Sequence, residues 1–226
     1  MRLFQLSLLL LLSTPALCQD IESLPLPRAL FKVTPQNFAE NTLKIGTEIF
    51  NKSRTKSYSL YVYGRFDGNT SSQPYYYGDD YYKGLGGEFQ YRKYISPLQN
   101  YTTRKGKTFL QGIYVSGYLQ GASYKNEGEF IYYSYDPSTG QQNNYRVTLE
   151  ESIGNWGTGF TIGVHRTLWK VLYIDAYIGG GIQWSDVIRM SNSNLNSFNY
   201  SSYYGITDPA YQGIMPKFGL QLGIAL

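Results

Sequence analysis

The chain carries one imidazole, His165, and a carboxylate that the next strand should bring alongside it, Asp175. Counting back from a tight turn near Trp169-Lys170 places Asp175 within about one residue pair of His165 across neighbouring strands. A carboxylate that orients an imidazole makes a general base, and a hydroxyl beside it makes a nucleophile for hydrolysis. Thr161 and Thr167 lie near enough in sequence to complete such a triad. The competing account is a hydrogen-bonded core histidine with no chemistry.

Other groups are weaker. Asp79-Asp80, set between Tyr75-Tyr76-Tyr77 and Tyr81-Tyr82, offers two carboxylates to Ca²⁺ or forms a solvated loop. Gly84-Leu85-Gly86-Gly87 has the glycines of a phosphate loop but no helix after it. With a single histidine, a multi-histidine metal site is impossible. The only cysteine, Cys18, falls at the end of a leader. Met1-Arg2, an apolar run from Leu3 to Leu12 and the small residues Ala16 and Cys18 describe a secretory signal peptide cleaved before Gln19. Cys18 as a lipid-acylation site is the alternative, although Leu17 stands where a small residue is wanted. We expect residues 1–18 to be the leader and residues 19–226 one domain without disulfide or thiol chemistry. No cofactor and no metal is implied.

The elements that must position these groups read as strands. Tyr and Gly stand at 24 each, with 11 Phe and 3 Trp, a composition of strands and turns. The net charge of +4 is spread without a basic stripe, so nucleic acid is not an expected partner. Pro216 to Leu226 alternates without a break: Phe218, Leu220, Leu222, Ile224 and Leu226 on one face, Lys217, Gly219, Gln221, Gly223 and Ala225 on the other. Seven more alternating segments precede it: Ala29–Thr34, Thr42–Phe50, Ser57–Phe66, Lys83–Ile95, Thr108–Tyr124, Trp156–Leu168 and Val171–Trp184. Three connections between them are long: Asp67–Tyr82, Lys125–Ile153, which contains its own hairpin, and Ser185–Gly213. Asn51–Lys56, Ser96–Lys107 and the Trp169 turn are shorter, and Pro35–Asn41 joins the first two strands. Long loops at one end and short turns at the other characterise an all-β, eight-stranded, antiparallel up-and-down transmembrane barrel with both termini in the periplasm. Trp156 and Trp184 at the outer strand ends and Trp169 at the inner turn would then form aromatic girdles.

The segments Leu30-Phe31-Lys32-Val33, Glu88-Phe89-Gln90-Tyr91-Arg92, Gly112-Ile113-Tyr114-Val115 and Tyr173 to Gly181, with the terminal strand, resemble the small eight-stranded outer-membrane barrels of Bacteroidota-type bacteria. That family is mostly of unknown function and supplies no catalytic residues to carry over. The chain ends on Leu226, where many such barrels end in Phe or Trp. The resemblance implies a cell outer-membrane location, with membrane lipid and lipopolysaccharide as surroundings.

Alternation alone also fits a secreted soluble barrel that binds a small ligand inside. The polar face is Tyr, Gly, Ser and Gln with few charges, whereas a soluble exterior is rich in Lys and Glu. Polar inward, the lumen holds Lys32, Lys44, Glu48, Arg65, Glu88, Arg92, His165, Asp175 and Lys217 among tyrosines. Eight strands leave an interior that side chains can fill, and buried charges must be paired. A plugged lumen is expected, with a charge-lined channel as the alternative. Tyr75, Tyr76, Tyr77, Tyr81, Tyr82, Tyr132, Tyr133, Tyr203 and Tyr204 fall in the outer loops. Rigid rings with a hydroxyl suit binding of a protein or glycan. Structural or recognition work is the expected role, and a lipid-modifying enzyme using His165 is the alternative.

Overall fold

Eight antiparallel strands close into one barrel in sequence order, β1 returning to pair with β8. The computed structural model describes residues 27–66, 81–102, 108–136, 140–168, 171–191 and 208–226. The strands are β1 Ala29–Val33, β2 Thr42–Phe50, β3 Lys56–Arg65, β4 Tyr81–Thr102, β5 Thr108–Asp136, β6 Gln141–Thr167, β7 Leu172–Ser191 and β8 Gly213–Ala225. A 3-10 helix, Pro35–Glu40, joins β1 to β2 within the expected Pro35–Asn41 connection. The signal peptide, Trp169, Asp79, Asp80, Tyr75, Tyr76, Tyr77, Tyr203 and Tyr204 lie outside the described residues.

Register fixes the tilt. Leu30 pairs in turn with Glu48, Ser59, Gln90, Tyr118, Gly159, Gly181 and Met215 round the barrel. Leu30 itself pairs with Ala225, ten residues beyond Met215 on β8. A ten-residue stagger over eight strands, at about 3.3 Å per residue and 4.8 Å between strands, sets a tilt of about 41°.

The barrel is polar inside and apolar outside. Phe160, Phe218 and Ile178 are 78 %, 72 % and 63 % exposed, whereas Lys32, Glu48, Arg92 and His165 are 0 %. On β4 the outward face reads Lys83, Leu85, Gly87, Phe89, Tyr91, Lys93. Ten residues at this tilt give an apolar belt about 25 Å tall between the two exposed lysines. Trp156 and Trp184 pair directly across β6 and β7, with rings stacked 4.2 Å apart, below the outward-facing Lys125 and Asp186. Near the other edge Tyr58 packs on Tyr91 at 5.5 Å.

Part of the tyrosine and glycine content forms cross-strand pairs. Inward tyrosines lie across from inward glycines on the next strand: Tyr61 opposite Gly46, Tyr63 opposite Gly86, Tyr124 opposite Gly84, Tyr114 opposite Gly163, Tyr118 opposite Gly159 and Tyr177 opposite Gly219. A Cβ on Gly163 would meet the Tyr114 ring at 2.4 Å and the Ala176 carbonyl at 2.9 Å. The glycine supplies the floor on which the ring lies, so a narrow barrel accommodates large side chains. Gly163→Val is expected to cost about 1–3 kcal/mol by overpacking. Outward Gly117, whose Cβ would meet nothing closer than 3.7 Å, should tolerate valine nearly neutrally. Denaturant midpoints of the two refolded variants check the contrast.

Four strands run further than the alternation indicates. β5 and β6 stay in register from Gln111–Arg166 to Asp136–Gln141, so Lys125–Ile153 is no loop excursion but the continuation of one hairpin. β4 continues to Thr102 through irregularities at Tyr94–Ser96 and Ser96–Gln99, which absorbs most of the expected Ser96–Lys107 connection. β7 reaches Ser191, into the expected third loop. Tyr81, Tyr82, Tyr132 and Tyr133 therefore belong to strands, with Tyr132 opposite Tyr145. Past the belt neither face is apolar, so the contrast between faces fades while backbone pairing continues.

Candidate functional site

Period-two alternation puts Lys32, Glu48, Arg92 and Asp175 on the inner face of β1, β2, β4 and β7, and the stagger brings them to one level. Lys32 bridges Glu48 and Asp175, the latter at 2.7 Å. Arg92 Nη1 reaches Asp175 Oδ2 at 2.5 Å and Glu48 Oε2 at 3.2 Å. Two cations thus meet two carboxylates across the full width of the lumen. Hydroxyls complete the set: Tyr114 donates to Asp175 (2.6 Å), Ser57 to Glu48 (2.5 Å) and Tyr94 to Glu48 (3.0 Å). The Arg92 guanidinium lies 4.5 Å from the centre of the Tyr114 ring. Paired charges with their remaining hydrogen-bonding capacity engaged are the arrangement that makes burial tolerable.

A second cluster lies nearer the long-hairpin end. Lys44 and Lys217 both contact Glu88 Oε2, at 2.5 and 2.9 Å. Lys217 also donates to Gln120 (3.0 Å) and stands 3.5 Å over the Tyr118 ring. Gln90 joins the clusters: its carbonyl accepts from Arg92 at 2.9 and 2.7 Å, and its amide donates to Glu88. Of the nine expected lumen residues, Arg65 stands apart, inward but only partly buried at the end of β3. Gln90, Ser57 and Gln221 were not among the expected network. Their shared parity with the charged residues was the available signal; Gln221 accepts from Tyr61 at 2.9 Å.

His165 and Asp175 are direct cross-strand partners, yet the geometry does not assemble a triad. The Asp175 carboxylate is held by Lys32, Arg92 and Tyr114. His165 Nδ1 lies 3.0 Å from the Tyr94 hydroxyl, which is also 3.0 Å from Glu48. Nδ1 is thus engaged with Tyr94, and the opposite nitrogen, Nε2, is buried without a hydrogen-bond partner among the described residues. Thr161 bonds Ser116 at 2.6 Å. The ring packs edge-on against Tyr173 at 5.3 Å and beside Phe50 at 5.9 Å, part of an aromatic floor at the turn end. His165→Phe, which keeps the packing and removes one hydrogen bond, is expected to cost about 1 kcal/mol, read from unfolding midpoints.

Fold and interior together define a closed eight-stranded antiparallel barrel with an ion-paired core and an apolar exterior. The chain matches no protein-family model, no curated protein and no solved structure.

Proposed function

We propose that this is a non-enzymatic outer-membrane β-barrel of Gram-negative cells. It is exported by a cleaved signal peptide and works as a structural or surface-recognition protein. One observation carries the reading: an outward apolar belt about 25 Å tall, edged by exposed charge and an indole pair, around an interior of buried, ion-paired side chains. In water such a surface would be an extreme exposed patch; in a bilayer it is the required one. The ion pairs that cross the lumen support a plugged interior. The involvement of Asp175 and Nδ1 of His165 in other bonds favours a scaffold over a lipid-modifying enzyme.

Recognition falls to the hairpin of β5 and β6. It continues for eleven residue pairs beyond Lys125–Ser152, roughly 36 Å along the strands, and Tyr132 and Tyr133, the residues we assign to binding a protein or glycan, lie on it. Cell fractionation combined with boiled and unboiled gel samples tests the proposal. A mobility shift confined to the outer-membrane fraction supports it. A soluble periplasmic or secreted protein without a shift overturns it.

A further inference from the structure

The β1–β8 seam that closes the barrel is short, and beyond it an edge of β8 is without a strand partner among the described residues. β1 is only five residues long and pairs with β8 over Leu222–Ala225 alone. Above it, no strand among the described residues pairs with that edge of β8 from Gly213 to Gln221. Leu226 donates its backbone N–H toward β1, to Ala29. By alternation the N–H groups of Leu220, Phe218 and Ile214 face the same way. Pro216 shares that parity, so its missing N–H falls on the unpaired side, where proline is tolerated in a sheet. The 3-10 helix Pro35–Glu40 fills part of the gap between β2 and β8. Gln36 reaches from it to accept the Leu220 N–H at 3.3 Å. Its amide lies where a Cβ on Gly219 would stand.

Lys44, whose carbonyl still accepts from Thr34 at the foot of this gap, and Lys217 on the open edge of β8 both use the same Glu88 oxygen. The lower cluster balances two cations with two carboxylates, so among the described residues this upper pair leaves one positive charge in excess. A buried charge without a counter-charge costs several kcal/mol as an order of magnitude. The side chains of Lys44 and Lys217 retain 7 % and 12 % exposure. An open groove of about 380 Å³, lined by Phe38, Asn41, Thr42, Leu43 and Phe66, runs beside the same turn.

We infer that this gap is a binding site for a single-chain carboxylate amphiphile, a fatty acid. Its head neutralises the Lys44–Lys217 excess, and its chain lies along the 3-10 turn in the membrane. The width of one missing strand is about 9–10 Å between backbones, and the 3-10 turn with Gln36 takes up part of it, so what is left suits one chain better than a two-chain lipid. The inference rests on the membrane reading above.

The test is native mass spectrometry of the mature barrel released from neutral maltoside micelles, titrated with palmitate and, separately, with hexadecanol. Each sample is checked first for its heat-dependent mobility shift. One palmitate per barrel is expected, with hexadecanol retained about tenfold less. Lys217→Met and Lys44→Met should each weaken palmitate retention roughly tenfold, and Glu88→Gln should strengthen it, since it removes the competing carboxylate. A merely structural role for Glu88 would not raise affinity. Equal retention of both probes, no retention by a wild-type barrel that shows its shift, or unchanged retention in folded lysine variants would each overturn the binding site while leaving the membrane reading intact. A wild-type chain with no shift in detergent would overturn both.

Discussion

Arg92→Met is expected to remove about 3–5 kcal/mol of folding free energy, the range for breaking a buried ion pair from one side. Arg92 is 0 % exposed and is shared by Asp175 and Glu48. Without it, Lys32 alone faces two carboxylates in a space closed to water. Gln90 and Tyr61 also lose the guanidinium that bonds them. The cost comes from the uncompensated carboxylate, so removing that charge as well should recover part of it. The double variant Arg92→Met with Glu48→Gln is therefore expected to be more stable than Arg92→Met alone. Guanidinium unfolding of the refolded variants in maltoside micelles measures both. A single variant within about 1 kcal/mol of wild type would mean that the network does not hold the barrel together.

Ile178→Lys probes the opposite face. Ile178 is outward, 63 % exposed, and lies between Ile162 on β6 and Phe218 on β8 near mid-belt. A lysine at the midplane of a bilayer costs about 2–4 kcal/mol in a β-barrel. The same change on a water-facing strand of a soluble protein would fall within about 0.5 kcal/mol. Folding free energy measured in phosphatidylcholine vesicles is expected to fall by the larger amount. The companion change near the charged rim, Ser123→Lys, is expected to cost about 1 kcal/mol or less. Equal and negligible effects at both depths would show that this face does not meet lipid.

The parts of the fold that were legible are those in which the two faces differ in polarity. β2 has the expected bounds, and β1 and β3 agree to within one residue. Each of these strands is largely confined to the belt, where one face is apolar and the other polar at every step. The hairpin expected within Lys125–Ile153 is present, but its continuity with β5 and β6 was not legible, because Asn126-Glu127-Gly128-Glu129 and Gln141-Gln142-Asn143-Asn144 offer no apolar face to count. They are held by backbone pairing, which leaves no mark in side-chain periodicity.

The interior was legible as a set of residues and illegible as a network. Parity put the nine charged or imidazole side chains on the inner face, eight of them in the two clusters and the aromatic floor, because a one-residue slip of any strand would turn that strand's set outward. Which cation meets which carboxylate depends on the stagger of the strands. Lys32 and Asp175 are 143 residues apart, and the ten-residue offset alone brings them together. The pairing of His165 with Asp175 was readable from a tight turn, but its chemistry was not. Whether a carboxylate serves an imidazole or a guanidinium is decided by what the other six strands present. The tyrosine–glycine pairs are likewise hidden. Both residue types stand out in the composition, yet only the register shows that each ring lies across from its own glycine.

The central claim is that the apolar exterior lies in a bilayer with the stacked indoles at one interface. Fluorescence quenching by lipids brominated at defined chain positions tests it most directly. In a Trp169→Phe variant, emission comes only from Trp156 and Trp184, whose rings stack at 4.2 Å near the upper edge of the belt. In vesicles, quenching is predicted to be strongest with bromines close to the headgroups and to fall toward the bilayer centre. Absence of quenching at every depth, by a barrel shown to be folded, would contradict the account.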